Sequence, residues 1–450
     1  MKLKLSYYTI ITPIEDVILV YSTRTSKTLV LKSEFLFLLE NENFQMLPAD
    51  VLHELISIEV LVPYLEDELA EIIQQNKDSV EDDSTLYQII QPSANCQLGC
   101  GYCGQVHTKN QLEKENYDLL LDRLDYKLSK NKKLKALHIG WFGGEPLMGL
   151  QSIRDLSLKF QNLASKHNVS YSAKMVTNGL ALKKNLFLEL VTKHNINNFD
   201  VTLDGIAEFH DARRFVKGGN KSFDLILGNL IDIFNIENYH EIGASISIRC
   251  NVDKTNYEGV TPLIELLRKN NFHEKISAFY VAPIHSWGNE AHLVSLEKSE
   301  FADREIGWLI DLYKNDFVSG IIPQRNHQVC MIVNPNSELI DASGDIFNCT
   351  EISYVPSYEG SEYMLGNIKD ISKGHEFESK PLLDWNEIIL SNKSELPCTT
   401  CKMLPVCGGQ CPKSWKEGII ACPPSKFNIE DKLALSYLVT QKGIDYLKQN

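Results

Sequence analysis

The feature that most constrains this chain is a cysteine-rich loop at residues 94–104, which reads Ala-Asn-Cys-Gln-Leu-Gly-Cys-Gly-Tyr-Cys-Gly. Cys96, Cys100 and Cys103 form a CxxxCxxC triplet. Thiolates are soft ligands that suit iron–sulfur clusters, and such short spacings allow one loop to wrap a single cluster. Zinc sites usually pair their cysteines and complete a set of four ligands, so a structural zinc loop is the weaker interpretation. The triplet predicts a four-iron cluster with one iron left open.

Tyr102 stands directly before the last cysteine, and with it the loop resembles that of the radical SAM superfamily. The resemblance implies that the open iron binds the amino and carboxylate groups of S-adenosylmethionine. It also implies reductive cleavage of this cofactor to a 5′-deoxyadenosyl radical, with Tyr102 at the cofactor site.

Composition excludes several other classes of protein. A formal net charge of −14 over 450 residues argues against a nucleic-acid binder, since phosphate contacts need a basic surface. No stretch approaches the ~20 apolar residues of a membrane span, and the first residues lack the apolar segment of a signal peptide. Eleven cysteines without a secretion signal indicate metal ligands rather than disulfides. We therefore expect a cytoplasmic protein with no membrane partner.

From about residue 86, apolar runs alternate with helix-length amphipathic stretches. The runs are Leu86–Ile90, Ala136–Phe142, Tyr171–Thr177, Phe199–Leu203, Ala244–Cys250 and Ile276–Ala282. Such alternation predicts an α/β fold with a parallel sheet and right-handed crossovers. Six units are too few for a closed eight-stranded barrel, and they match the partial (β/α)6 TIM barrel that the resemblance implies.

The chain is expected to divide into three parts. Residues 1–80 show three β-rich runs and two helical patterns, then an acidic stretch at 65–84 that predicts a helix leading into an exposed linker. This part resembles the winged-helix peptide-recognition unit of ribosomal-peptide modifying enzymes, although a small cap without a binding role fits the pattern equally well. Residues 81–300 would form the partial barrel, and residues 301–450 a connector and a second cysteine-rich domain.

Further candidate cofactor residues follow the predicted strands, at the barrel end where chemistry gathers. Gly143, Gly144, Glu145 and Pro146 follow the second strand and resemble the superfamily motif that contacts the amino group of S-adenosylmethionine. The ends of later strands supply Thr177, Asn178 and Asp204.

Arg249 alternates with Ile248 and Cys250 on the fifth strand, so its guanidinium is predicted to face inward and pair with the carboxylate of the cofactor. Cys250, on the apolar side, is assigned to packing. Arg213 and Arg214 resemble part of a DG…HD…R stretch of the family, and a solvated helix start explains them equally well.

Seven cysteines near the carboxyl terminus resemble the SPASM extension of radical SAM proteins. The array is Cys330, Cys349, Cys398, Cys401, Cys407, Cys411 and Cys422. A double zinc ribbon is the alternative, because CxxC pairs alone are ambiguous. The resemblance implies two auxiliary 4Fe–4S clusters, a distal one on Cys398, Cys401, Cys407 and Cys422 and a proximal one on Cys330, Cys349 and Cys411. Together with the first loop, three 4Fe–4S clusters are expected.

The proximal set lacks the eighth cysteine that some relatives carry upstream of the first one. His327 could complete it, since imidazole replaces thiolate on iron in Rieske centres. The alternative is a position left open to solvent or to a substrate thiolate.

The resemblance to radical SAM proteins with a SPASM extension implies an oxidoreductase-type peptide maturase that modifies a ribosomally made precursor by crosslinking, thioether formation, oxidation or epimerisation. Its expected partners are a precursor peptide with a leader segment and a small electron donor such as a flavodoxin or ferredoxin. Glu351 and Tyr354, shortly after Cys349, are candidate proton donors or acceptors. The alternatives are an anaerobic sulfatase-maturing enzyme, which makes formylglycine, and a non-catalytic iron–sulfur electron-transfer protein.

Overall fold

The structure is a computed structural model that describes residues 2–285, 287–377, 379–392, 395–443 and 447–448. Its centre is a run of six parallel strands that pair in chain order. They are β6 (Thr85–Ile90), β7 (Ala136–Trp141), β8 (Ser170–Thr177), β9 (Ile196–Thr202), β10 (Ser245–Val252) and β11 (Ala278–Pro283). This arrangement confirms the predicted partial barrel.

Helices connect the six strands and cover one face of the sheet. They are α4 (Glu115–Lys130), α5 (Leu150–His167), α6 (Lys184–His194), α7 (Ala207–Arg213), α8 (Phe223–Phe234) and α9 (Val260–Lys269). The main core lies between the helices and the sheet, and Ile246, Ile248 and Cys250 of β10 are fully buried in it. Arg249 lies on the opposite face, because successive residues of a strand point to opposite sides. Cys250 is thus a packing residue, as predicted.

The second cysteine-rich region extends the same sheet. Strand β12 (Ser337–Ile340) pairs in parallel with β6, and β13 (Asp345–Phe347) and β14 (Met364–Asn367) follow as antiparallel neighbours. Among the described residues, the two outer strands of this nine-stranded sheet, β11 and β14, do not pair, so the barrel stays open.

The amino-terminal region has its own small core and two small sheets. An antiparallel sheet contains β2 (Thr9–Ile14), β3 (Val17–Ser22) and β4 (Lys27–Lys32), while β1 (Leu3–Leu5) pairs with β5 (Leu61–Pro63). The helices are α1 (Phe35–Glu40) and α2 (Ala49–Ser57). The first β-rich run, predicted at Ser6–Thr12, forms a strand only from Thr9, because the amide of Thr9 bonds to the carbonyl of Ser6 in a turn.

Helix α3 (Glu68–Glu81) is not the solvated lead into a linker that its acidic composition predicts. Ile72 and Ile73 are buried in a second core with residues of the cysteine-rich domain. Lys77 also pairs with Glu387 at 2.6 Å. One apolar face is enough to dock an otherwise polar helix.

The remaining helices belong to the carboxyl-terminal part. They are α10 (Lys298–Lys314), α11 (Trp385–Ser391), α12 (Leu404–Cys407), α13 (Pro412–Lys416) and α14 (Ser425–Tyr437). Leu433 of α14 and Met403 contact Ile10, Leu19 and Tyr21 in a further apolar cluster, which docks the amino-terminal sheet on this part. No helix among the described residues is long and apolar enough to cross a membrane.

Candidate functional site

The CxxxCxxC loop leaves the end of β6 and is clamped by the segment after α7. The amide of Gly99 donates to the carbonyl of Phe215 and that of Gly101 to Arg213, both over 2.9 Å. Leu98 and Val216 form an antiparallel bridge at the same place. Sequence reasoning missed Phe215 and Val216, because contacts between segments about 115 residues apart leave no local pattern.

Cysteine sulfurs of this loop accept hydrogen bonds. The amide of Leu98 donates to Cys96 Sγ over 3.4 Å, and Asn178 Nδ2 donates to the same sulfur over 3.7 Å. The amide of Gln105 bonds in the same way to Cys103. Burial raises the pKa of the Cys96 thiol to about 12, so the thiolate needs a bound cation to be stable at neutral pH. Such N–H···S bonds also tune iron–sulfur clusters, so this loop fits one.

The glycine pair lets the loop after β7 touch the backbone that leads into the cysteines. Gly143 has φ +126°, and a Cβ there would lie 2.8 Å from the carbonyl oxygen of Ser93. A Cβ on Gly144 would lie 2.8 Å from that of Asn95. The amide of Glu145 donates to the same Asn95 carbonyl over 2.9 Å. Larger residues would push the two loops apart.

The Glu145 carboxylate holds two strand ends together. It is buried and accepts hydrogen bonds from Thr177 Oγ1 (2.7 Å), the amide of Asn178 (2.8 Å) and the amide of Leu147 (3.1 Å). Burial raises its pKa, and these hydrogen bonds oppose the rise. Pro146, also buried, begins a 3-10 turn. The structure therefore brings together Glu145, Thr177, Asn178 and Cys96.

Tyr102, a residue of the cysteine loop, is the centre of a polar network. Its hydroxyl donates to Asp204 Oδ2 over 2.6 Å and accepts from Arg214 Nη1 (2.6 Å) and Asn251 Nδ2 (3.1 Å). Asp204 is fully buried and also accepts from the amide of Asn251 over 2.8 Å. Burial raises the pKa of Tyr102 well above its usual range, and the negative charge of Asp204 also raises it. Asp204 thus holds the Tyr102 hydroxyl in position.

The interpretation of the two arginines as a solvated helix start is wrong. Arg213 and Arg214 are both buried. Arg213 pairs with Asp253 at 3.0 Å, and its guanidinium lies 4.7 Å from the centre of the Tyr102 ring. Asn251 and Asp253 were not predicted as site residues, although they lie at the carboxyl end of β10, just as the predicted candidates lie at the ends of their strands.

Polar side chains line the face of the sheet opposite the helices. Arg249 is half-buried there and donates from Nε to Asn251 Oδ1 over 2.7 Å. Tyr280 of β11 donates to Asp200 of β9. Lys174 of β8 lies over the ring of Tyr87, 4.9 Å from its centre. Beside the cysteine loop, this face therefore carries charged and polar side chains.

Four carboxyl-terminal cysteines line one small cavity. They are Cys398, Cys401, Cys407 and Cys422. The amide of Gly409 donates to Cys407 Sγ over 3.4 Å, and Lys426 Nζ donates to Cys422 Sγ over 3.5 Å. This is the set that the family resemblance implies for the distal cluster.

The other three cysteines form a separate group. Burial holds the pKa of the Cys349 thiol well above its usual range, and the charges of Glu351, Cys330 and Cys411 raise it further. The amide of Glu351 bonds to Cys349, and the amide of Ile332 bonds to Cys330. A four-iron cluster spreads its thiolates around a cube rather than around one ion. Among the described residues, no group of three or more His, Cys, Asp or Glu side chains is arranged to hold a single metal ion.

The two candidate proton carriers have different surroundings. Glu351 lies beside Cys349, within the charge influence of Arg249. Tyr354 has φ +63°, its hydroxyl accepts from the amide of Ala342 over 2.7 Å, and its carbonyl accepts from the amide of Val106 over 2.7 Å. Tyr354 therefore braces its loop against the segment that follows Cys103.

Comparisons with known proteins agree with this site. The family model described as the radical SAM superfamily matches residues 90–285. The chain is 24% identical over 352 residues to the cysteine-type anaerobic sulfatase-maturating enzyme of Clostridium novyi (strain NT), covering 73% of this chain and 88% of that protein. It is 23% identical over 364 residues to the serine-type anaerobic sulfatase-maturating enzyme of Bacteroides thetaiotaomicron, covering 73% of this chain and 83% of that protein.

The fold is also similar to the solved structure of native anSMEcpe with bound AdoMet. The TM-score is 0.58 at 18% identity, covering 81% of this chain and 99% of that one. Residues 90–285 thus match the radical SAM superfamily model, and this match together with the two relatives indicates that the chain is an enzyme. Enzymes of this class use S-adenosylmethionine and a 4Fe–4S cluster.

Proposed function

We propose that this enzyme is a maturase that modifies a peptide or protein substrate by radical chemistry. The observation that carries the proposal is the shared sheet, in which β12 pairs with β6. This pairing joins the second cysteine-rich domain directly to the strand that leads to the CxxxCxxC loop. We assign residues 1–80, 81–300 and 301–450 to substrate recognition, the radical domain and the auxiliary-cluster domain.

The proposed cofactor site is made of the residues that converge on the cysteine loop. When bound, the cluster and S-adenosylmethionine supply the 5′-deoxyadenosyl radical, and the protein supplies position. The proposed contacts are Tyr102, Gly143, Gly144, Glu145, Pro146, Thr177, Asn178, Asp204 and Arg249. Tyr102 and Glu145 are fixed by their own hydrogen bonds, so they hold the loops in place. Arg249 has no ion pair among the described residues and can bind a carboxylate.

The amino-terminal part is the proposed grip for a leader segment. Among the described strands, β4 pairs only with β3 and leaves its other edge unpaired. Extended peptides add to such edges through main-chain hydrogen bonds. This part also contacts the residues on either side of Cys401, since Thr23 Oγ1 donates to the carbonyl of Lys402 (2.7 Å) and Tyr7 Oη to that of Thr400 (2.7 Å). A gripped leader would thus be held close to the auxiliary domain, and a small electron donor remains the proposed source of electrons.

A second candidate function is sulfatase maturation, the oxidation of a Cys or Ser residue to formylglycine. The two anaerobic sulfatase-maturating enzymes favour it, because the similarity extends over more than four fifths of each. One of the solved structures with this fold, native anSMEcpe, holds a Cp18Cys peptide. Both candidates share a peptide substrate and differ in the bond that is made.

The test is an anaerobic assay of the reconstituted enzyme with three peptides. They are a sulfatase-type peptide with Cys, the same peptide with Ser, and a precursor peptide encoded beside the gene. Deoxyadenosine release together with a mass change in the precursor alone supports the first function. A formylglycine product in either sulfatase peptide supports the second, and cofactor cleavage without any peptide change contradicts both.

A further inference from the structure

The proximal cysteine group offers three sulfurs for the four irons of a cluster. Cys330, Cys349 and Cys411 supply them, and Cys250 is fully buried between the sheet and its helices. The remaining cysteines belong to the first loop and the distal set. A four-iron cluster held by this group would therefore have one iron without a cysteine ligand.

Glu351 lies beside Cys349 of this group. It follows Cys349 by two residues, and its own amide donates to the Cys349 sulfur. Its Oε1 accepts from Thr350 Oγ1 over 3.3 Å. Its Oε2 is buried and has no hydrogen-bond partner among the described residues. A buried carboxylate oxygen without a partner is costly, so this atom indicates a group outside the polypeptide.

Neighbouring cations do not explain the unpartnered oxygen. Arg249 and Lys413 are close enough for their charges to act on Glu351, yet no ion pair within 4.0 Å joins either to it in the described structure. Lys413 already donates to Tyr358 Oη and pairs with Glu417 at 2.9 Å. Arg249 donates to Asn251.

His327 is a weaker candidate for the same position. Its Nδ1 is also buried without a partner among the described residues. The residues on either side are tied elsewhere, the amide of Asn326 to the carbonyl of Pro405 (3.0 Å) and Gln328 Nε2 to the carbonyl of Ser79 (3.0 Å). Glu351, in contrast, is hydrogen-bonded to a sulfur of the group itself.

We propose that the Glu351 carboxylate is the fourth protein ligand of the proximal auxiliary cluster. The inference rests on the proposed function, since it requires that this cluster exists. An oxygen ligand is harder than a thiolate and binds cluster iron less strongly. The proximal cluster would therefore carry one exchangeable ligand that a substrate sulfur can replace, which suits chemistry at a cysteine.

The experiment uses protein in which Cys96, Cys100 and Cys103 are all changed to Ala, so that only auxiliary clusters contribute. After anaerobic reconstitution, iron content and the electron paramagnetic resonance spectrum of the reduced protein are measured. Glu351→Gln is compared with Glu359→Gln, an exposed glutamate of the same region. We expect about eight irons per chain before the glutamate change. We also expect an altered signal from one of the two clusters in Glu351→Gln and an unaltered spectrum in Glu359→Gln.

Two further variants keep the test decisive. Glu351→Cys supplies a thiolate at the proposed ligand position, so this variant should load about eight irons even if Glu351→Gln loses iron. An unchanged spectrum in Glu351→Gln, or a change in His327→Ala alone, overturns the assignment of Glu351. An iron content near four or below before any glutamate change would instead refute the two auxiliary clusters, and with them the proposed function.

Discussion

Arg123 in α4 donates two hydrogen bonds to Glu338 in β12, from Nε to Oε2 over 2.9 Å and from Nη2 to Oε1 over 2.7 Å. Both side chains are at most 2% exposed. Lys127 and Lys380 complete the surroundings of the carboxylate, at 2.7 Å and 3.4 Å. One buried anion therefore joins a barrel helix, the strand beside β6 and the cysteine-rich domain.

Removing this anion should destabilise the whole enzyme. Glu338→Gln leaves three cations without their partner, and breaking a buried pair in this way costs about 3–5 kcal/mol. The matched control is Glu376→Gln, because Glu376 pairs with Lys130 on the surface, where such pairs contribute about 0–1 kcal/mol. The melting temperature of the two variants measures the difference, and equal values would contradict a joining role for Glu338.

The same carboxylate should make stability depend on pH. Burial raises the pKa of Glu338, but the charges of Lys127, Lys380 and Arg123 and the Arg123 hydrogen bond outweigh this, so the pKa lies well below its usual range. Because the folded-state pKa lies below the unfolded value of about 4.3, the ionised Glu338 carboxylate stabilises the fold above about pH 4.3. This stabilisation is lost as the pH falls from about 4.3 towards the folded-state pKa. Thermal melts between pH 3 and 7 should show a steeper acid loss in the wild type than in Glu338→Gln. Parallel curves would show that Glu338 does not cause the loss.

Tyr102→Phe should weaken the cofactor site without removing a cysteine. The change deletes the hydroxyl that joins Asp204, Arg214 and Asn251, and each unpaired buried group costs about 1–3 kcal/mol. We expect slower deoxyadenosine release and a higher KM for S-adenosylmethionine, with iron content unchanged. Tyr257→Phe is the control, since that hydroxyl bonds only to its exposed neighbour Glu258 in the described structure. Unchanged kinetics in Tyr102→Phe would mean that the network does not shape the site.

The cysteine groups predict how iron divides among the sites. A fully loaded chain should hold about twelve irons in three clusters. Changing Cys96, Cys100 and Cys103 to Ala should remove about a third of the iron and all cofactor cleavage. Changing Cys398 and Cys401 to Ala should also remove about a third but leave cofactor cleavage in place. Iron analysis and chromatography of deoxyadenosine measure both effects, and cleavage retained in the first variant would refute the role of that loop.

Local patterns in the sequence predicted the parts of the fold that depend on neighbouring residues. The alternation of Arg249 with Ile248 and Cys250 predicts which face of β10 is buried, because strand geometry repeats every two residues. The six strand–helix units follow from the same kind of signal. Short cysteine spacings predict a cluster loop because ligands close in sequence are close in space.

Contacts between distant segments could not be predicted in this way. Glu338 and Arg123 are 215 residues apart, and neither stands in a motif. The clamp of Phe215 on Gly99 and the buried face of α3 likewise depend on tertiary packing. Tertiary contacts also decide the state of Arg213 and Arg214, whose charges alone favour solvent. Packing thus overrides composition where partners come from far along the chain.

The amino-terminal part yields the last prediction, and its docking decides the design. Deleting everything before Ser84 would remove Tyr8, Ile72 and Ile73 from the second core, so loss of activity in such a protein would not report on peptide binding. A point change at the free edge avoids this problem. Val30 of β4 is 44% exposed, and Val30→Asp places a charge where an added peptide strand would lie.

We expect Val30→Asp to lower affinity for the precursor peptide at least tenfold, about 1.4 kcal/mol, while cofactor cleavage and melting temperature stay unchanged. The control is Leu65→Asp, which places the same charge at a side chain that is 93% exposed and outside the small sheet. Fluorescence anisotropy with a labelled precursor measures binding in both variants. Because leader binding and radical formation use different parts of the chain, the proposed grip requires that only the first measurement changes. Equal affinity in Val30→Asp and the wild type would show that the β4 edge does not hold the leader. That result would favour the alternative that the amino-terminal part is a cap without a binding role.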